Sequence, residues 1–209
     1  MRLILLCLMI WGASIPLAQA FERAAIADRA EDVTPLLNGQ SIPQTTLKLA
    51  DGSPVSLTAL TMQKPSIVLF YRGGWCPYCN RQLAELKDIE QELVSLGYQV
   101  LAISPESPSR LQEQKLETEF AVTLLSDVSL DTIRNFGIGF YVEQATSDRY
   151  LNEYGIDLTE DKSMRSVLPA PAIFFVDTQG VVQFNYVNPN FRVRPSAELI
   201  LNVAKVLKP

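Results

Sequence analysis

The 209-residue chain contains no histidine and only three cysteines. Without imidazole there is no Ser/His/Asp or Cys/His triad to assemble, and zinc, copper and haem sites lose their commonest ligand. Positive charge is also short, with 18 Lys and Arg against 23 Asp and Glu and a formal net charge of -5. That balance argues against nucleic acid or an anionic lipid surface as a partner. Internal repeats, low-complexity tracts and long charge runs are absent. The longest apolar run, Leu3 to Trp11, is interrupted soon after by Gly12, Ser14 and Pro16. It falls short of the roughly 20 residues a spanning helix needs, so no stable membrane insertion is expected.

Residues 1–20 carry one charge, Arg2, then the apolar run, and finish Leu17-Ala18-Gln19-Ala20 with small residues where a signal peptidase reads. We read this as a cleaved secretory signal, with the mature chain starting near Phe21. Cys7 leaves with it, so the mature thiols are Cys76 and Cys79. In an oxidising compartment two cysteines at this spacing form a disulfide unless something reduces them. Residues 21–209 suit a single domain with its own core.

Hydrophobic patterning gives an alternating order of elements. Thr45 to Leu49 and Val55 to Leu57 flank an Asp51-Gly52-Ser53-Pro54 turn and predict a hairpin. Ser66 to Tyr71 is an apolar run suited to a strand buried on both faces. From Pro77 to Leu96 apolar residues recur at spacings of three and four, predicting one long amphipathic helix stopped by Gly97. A strand over Gln99 to Ser104, a helix over Pro108 to Phe120 and a strand over Val122 to Leu125 follow. Residues 140–168 lack a sustained period beyond a short helix around Ser147 to Tyr154 and read as a solvated insertion. Ala172 to Val176, a turn, Val181 to Val187 and a helix over Ser196 to Leu207 close the chain. The predicted class is α/β, a central mixed sheet flanked by helices.

Cys76-Pro77-Tyr78-Cys79 lies where the long helix begins. A thiol reacts as thiolate, and the unpaired N–H groups of a helix start favour that anion. Pro77 suits the first helical position, where its missing N–H has no partner to lose. The spacing lets one thiol resolve a mixed disulfide formed at the other. A purely structural disulfide over so short a loop would restrict the unfolded chain little, and a zinc site would need two more ligands that the mature chain does not offer. No metal and no cofactor is therefore expected, and a copper-handling module, which usually brings histidine, is disfavoured.

The segment Phe70-Tyr71-Arg72-Gly73-Gly74-Trp75-Cys76-Pro77-Tyr78-Cys79, the stretch Leu168 to Asp177 and the tail Phe184 to Pro195 together resemble the peroxiredoxin-like branch of the AhpC/TSA family. The resemblance implies a thioredoxin fold with an N-terminal β-hairpin and thiol-dependent reduction of hydroperoxides. Because an exported chain meets an oxidising compartment, a reductive role needs an external thiol donor, either thioredoxin-like or a membrane reductase, and the signal segment points to the bacterial periplasm as the place of work. Laid against peroxiredoxins, Cys79 falls on the peroxidatic cysteine and Cys76 replaces a threonine. Pro171 stands where those enzymes keep an arginine, and Gln82 where many have glutamate. Arg72 is the one nearby cation to nominate as a substitute. Laid against thioredoxin, Cys76 attacks, Cys79 resolves, Trp75 shields the site, Pro171 is expected to be cis, and a buried aspartate is replaced by Leu69. Glu106, just past a strand end, is then a candidate for proton transfer. Two reactions stay open on the same thiols: hydroperoxide reduction, and exchange with a protein disulfide.

Overall fold

A computed structural model describes residues 25–118 and 122–208; the signal segment expected over residues 1–20 lies outside them. A seven-stranded sheet organises the chain. Its first hairpin is β1 (Thr46–Lys48) and β2 (Pro54–Ser56), followed by α1 (Leu57–Gln63) and the central strand β3 (Ser66–Phe70). Next come α2 (Pro77–Asp88), α3 (Glu90–Ser95), β4 (Gln99–Ser104), α4 (Pro108–Thr118), β5 (Thr123–Ser126) and α5 (Asp131–Asn135). The remainder is β6 (Gly139–Tyr141), α6 (Gln144–Tyr154), β7 (Val167–Pro169), β8 (Ala172–Val176), β9 (Val182–Val187) and α7 (Ala197–Leu207). The strand order is β2-β1-β5-β4-β3-β8-β9, and β6 and β7 pair separately. Strands β3, β4 and β5 run parallel, while the hairpin and β8–β9 join antiparallel. This is the thioredoxin fold extended by an N-terminal β-hairpin.

Both faces of the sheet are covered, which is why β3 reads as an unbroken apolar run. Along it Ile67, Leu69 and Tyr71 face Leu83, Leu86 and Leu93 of α2 and α3 and Ile200 of α7. Val68 and Phe70 face the other side, where Phe70, Phe136 and Phe174 pack ring against ring with centroids 4.8 to 6.0 Å apart. The two-residue period of the strand thus feeds two separate cores. Cys76 and Cys79 belong to the α2 side.

Four sequence expectations change. The helix foreseen over Pro77 to Leu96 is broken at Ile89, whose ψ of 3° ends α2 and starts α3. The apolar spacing survives the break because Leu93 still reaches the core. The segment 140–168 is not merely a solvated insertion, since β6 and β7 pair with each other across it and α6 brings Tyr150 back to the dithiol loop. The hairpin is shorter than foreseen, because Leu57 opens α1 under the cap of Ser56, whose Oγ accepts the Ala59 N–H at 3.3 Å. Finally, the peptide before Pro171 is trans, as are all those among the described residues. The chain runs extended from β7 into β8, with Ala170 N–H donating to Ile138 and the Pro171 carbonyl accepting from Asn188. Nothing in that path opposes the ordinary trans preference of about 0.5–1 kcal/mol.

Candidate active site

The parallel strand β3 ends in a loop, Tyr71 to Trp75, that delivers Cys76 to the N-cap of α2. Gly73 has φ of 150°, and a side chain on it would meet the Trp75 indole and lie 2.9 Å from the Glu106 carboxyl. Glycine there lets Trp75 and Glu106, which follow the C-terminal ends of the parallel strands β3 and β4, close on the loop together. Gly74 N–H donates to Glu106 Oε2 at 2.7 Å, and Asn80 Nδ2 donates to the Gly74 carbonyl at 2.6 Å, so the loop is tied to both β4 and α2. Pro77 occupies the first turn of α2 and is exposed; Tyr78 is half-buried.

Both cysteines are free thiols and buried, Cys76 at 1% exposure and Cys79 at 0%. The Cys79 thiol hydrogen-bonds to the Cys76 sulfur, which with the charges of Arg72 and Arg194 brings Cys76 down to about 6. Burial, reinforced by the neighbouring Cys76 charge, pushes Cys79 well above its ordinary value. The closest cation contact runs the other way, because Arg194 Nη2 approaches Cys79 Sγ at 3.5 Å. Desolvation of Cys79 and repulsion from Cys76 outweigh that one guanidinium. The pair therefore shares one proton, with the negative charge at the helix N-cap. Family alignment would have put the anion on Cys79.

Arg72 is 6% exposed and stands on aromatic faces rather than on an acid. Its guanidinium carbon lies 4.9 Å from the Trp75 ring centre, 5.6 Å from Tyr150 and 4.3 Å from Phe191, and its Nη2 donates to Tyr150 Oη at 2.7 Å. Trp75 packs at a tilt against Tyr150 with centroids 5.1 Å apart, and Tyr78 meets Phe191 edge-on at 5.7 Å. Three distant segments thus meet over the dithiol: its own loop, α6 and the tail before α7. Glu106 walls a cavity of about 520 Å³ that Trp75, Arg110, Asp157 and Leu158 also line. Burial raises the Glu106 carboxyl, and the charge of Cys76 adds to that rise.

Arg72, Trp75, Cys76, Tyr78 and Cys79 are therefore brought together. Pro171 is buried one residue beyond the Phe70–Ala172 pair, at the dithiol end of the sheet. Gln82 is buried on α2. Two contributors escaped the sequence reading. Arg194 lies in the quoted tail, where Arg192-Val193-Arg194-Pro195 is the only hint of a cation returning to the site. Tyr150 had no local signal at all.

A thioredoxin fold presenting a two-cysteine pair at a helix N-cap defines a thiol oxidoreductase. The AhpC/TSA family profile matches residues 38–185, and the chain belongs to that family. It is 33% identical over 106 residues to peroxiredoxin Bcp of Escherichia coli, covering 51% of this chain and 67% of that protein. It is 27% identical over 150 residues to the chloroplastic peroxiredoxin Q of Populus jackii, covering 72% and 60%. Among solved structures, the peroxidoxin BcpB of Mycobacterium tuberculosis superposes with a TM-score of 0.65 at 16% identity, over 82% of this chain and 98% of that one. Reduced Prx3 of Vibrio vulnificus gives 0.67 at 16% identity, over 81% and 99%. At that identity the structures speak for the fold.

Proposed function

We propose that this protein reduces hydroperoxides with the Cys76–Cys79 pair and is itself restored by an external thiol donor. The observation that carries the reading is a pair of buried free sulfurs at the N-cap of α2, with the Arg194 guanidinium 3.5 Å from Cys79 Sγ. The Cys76 thiolate attacks the terminal peroxide oxygen and the O–O bond breaks; the transferred OH keeps its proton, and the alkoxide or hydroxide leaves and takes one from solvent. Cys76 is then a sulfenic acid, and the Cys79 thiol condenses with it, releasing water and forming the disulfide. Two electrons from two donor thiols reopen that disulfide. Membership of the AhpC/TSA family and the names of its peroxiredoxin relatives support the oxidant class.

The test is stopped-flow oxidation of the reduced protein by hydrogen peroxide, followed by tryptophan fluorescence. Wild type should react much faster than a free thiolate, Cys79→Ser should react and stop at a Cys76 sulfenic acid, and Cys76→Ser should be slow. A fast Cys76→Ser protein would move the attack to Cys79. One observation favours a second reading, exchange with protein disulfides: the more acidic sulfur is the one beside Trp75, at the helix start. That reading wins if peroxide reacts no faster than with a free thiolate while Cys79→Ser traps mixed disulfides through Cys76.

The same reading places the mature chain in the periplasm, supported by the Arg2, Leu3–Trp11 and Ala18-Gln19-Ala20 pattern. N-terminal sequencing of the protein recovered from a bacterial periplasmic fraction should begin at Phe21.

A further inference from the structure

Oxidation changes the charge balance at the dithiol. In the reduced site the thiolate answers two guanidiniums. Neither Arg72 nor Arg194 forms an ion pair with a carboxylate among the described residues. The Nε of each is buried without a hydrogen-bond acceptor. Glu106, the acid that senses Cys76, is turned to the Gly74 N–H and toward Arg110. When Cys76 and Cys79 join, the anion disappears and the guanidiniums keep their charge. Two orphaned donors on two cations beside a neutral disulfide leave a buried site short of one acceptor anion, since each unmet buried donor costs free energy.

The ligand that meets the oxidised site is the electron donor. We infer that Arg72 and Arg194 form a seat for an anionic thiol donor, a small thiol carrying a carboxylate, and that Arg194, half-buried on the tail, is the side from which it enters. This rests on the reading of the dithiol as the redox centre, and not on hydroperoxide as its oxidant. The donor thiolate attacks one sulfur of the Cys76–Cys79 disulfide, the S–S bond breaks, and the other cysteine leaves as thiolate. A second donor thiolate then attacks the donor sulfur of the mixed disulfide, releasing donor disulfide and the second cysteine. Two thiols are oxidised and one disulfide is reduced.

The experiment uses mature protein oxidised with diamide, its Cys76–Cys79 disulfide verified by mass. Reduction is followed by tryptophan fluorescence with three small thiols of graded charge: mercaptoacetate, 2-mercaptoethanol and 2-aminoethanethiol. Rates are expressed per thiolate and divided by the same thiol's rate with a small uncharged disulfide, which removes differences in intrinsic nucleophilicity. Mercaptoacetate should be fastest and 2-aminoethanethiol slowest, with about tenfold between the ends, the worth of one hydrogen bond to a charged group. The spread should narrow at 1 M salt, where the Debye length falls to about 3 Å. It should flatten in Arg194→Gln, and in Arg72→Met if that buried change folds. A flat series in wild type, or an undiminished one in Arg194→Gln, overturns the proposal. So does the reverse order, which would send a cationic donor through the acid-lined cavity beside Trp75. Slow peroxide reaction with the graded series intact would sink the peroxidase reading and leave this one standing. Failure to form the Cys76–Cys79 disulfide overturns both.

Discussion

In the proposed reaction Cys76 is the attacking residue, and its acidity has separable causes. The hydrogen bond from Cys79 is the largest, ahead of the two guanidiniums. Alkylation of the reduced protein by iodoacetamide should therefore titrate with a midpoint near pH 6 at Cys76. In Cys79→Ala, which removes the donor but little volume, the midpoint should move upward. An unmoved midpoint would assign the acidity to Arg72, Arg194 and the helix start alone. The two cysteines were legible in the sequence because their signal is local: a spacing of three at the junction of an apolar run with a helical period. Arg72 was legible for the same reason. Arg194 was not, since it lies 115 residues from Cys79 and only the return of the tail over α2 joins them. The trans peptide at Pro171 is what the sequence alone favours, and the cis expectation came only from the resemblance to thioredoxin.

At the scale of elements, α6 contributes to the site although none of its residues is fully buried. Its Tyr150 holds Arg72 by one hydrogen bond and a ring face. Tyr150→Phe keeps the ring and loses the bond, so the protein should stay folded while the alkylation midpoint of Cys76 rises and peroxide reaction slows several-fold. Unchanged kinetics would show that the stacked rings alone hold Arg72. The last helix offers a purely structural check. Ser196 caps α7, its Oγ accepting the Leu199 N–H at 3.2 Å, and Ser196→Ala should cost about 1 kcal/mol in urea unfolding with redox rates intact. Elements with strong periods were readable: β4 and β8 fall where the apolar runs place them. The five-residue α5 was not, because its first turn is held by Asp127, whose carboxylate accepts the Thr132 and Ile133 N–H groups. The β6–β7 pair was missed too, since its register, Phe140 opposite Leu168, joins residues separated by the whole of α6.

For the whole molecule, the redox state and the stability of the fold are linked, because both sulfurs lie in the core cluster shared with Leu83, Ile173 and Ile200. Folding lowers the pKa of Cys76 to about 6, against about 8.5 for a free cysteine, so the folded state holds fewer protons than the unfolded one between those values. Stability of the reduced protein should then rise with pH from about 6 to 8.5, by at most about 1.4 kcal/mol per pH unit, and be lost as pH falls through 6. Cys79 acts with the opposite sign. Its folded value is raised, so the folded state retains a proton that the unfolded chain gives up, and stability should decline above about pH 8.5. The oxidised protein has neither thiol and should show neither limb. Urea midpoints of the reduced and oxidised proteins, measured across this range at constant salt, should diverge in favour of the reduced form up to about pH 8.5 and converge beyond it. Cys76→Ser should remove the rising limb and leave the falling one. Parallel pH profiles for the two redox states would mean that the shared proton between Cys76 and Cys79 carries no folding free energy, and that the low pKa is set equally in the unfolded chain.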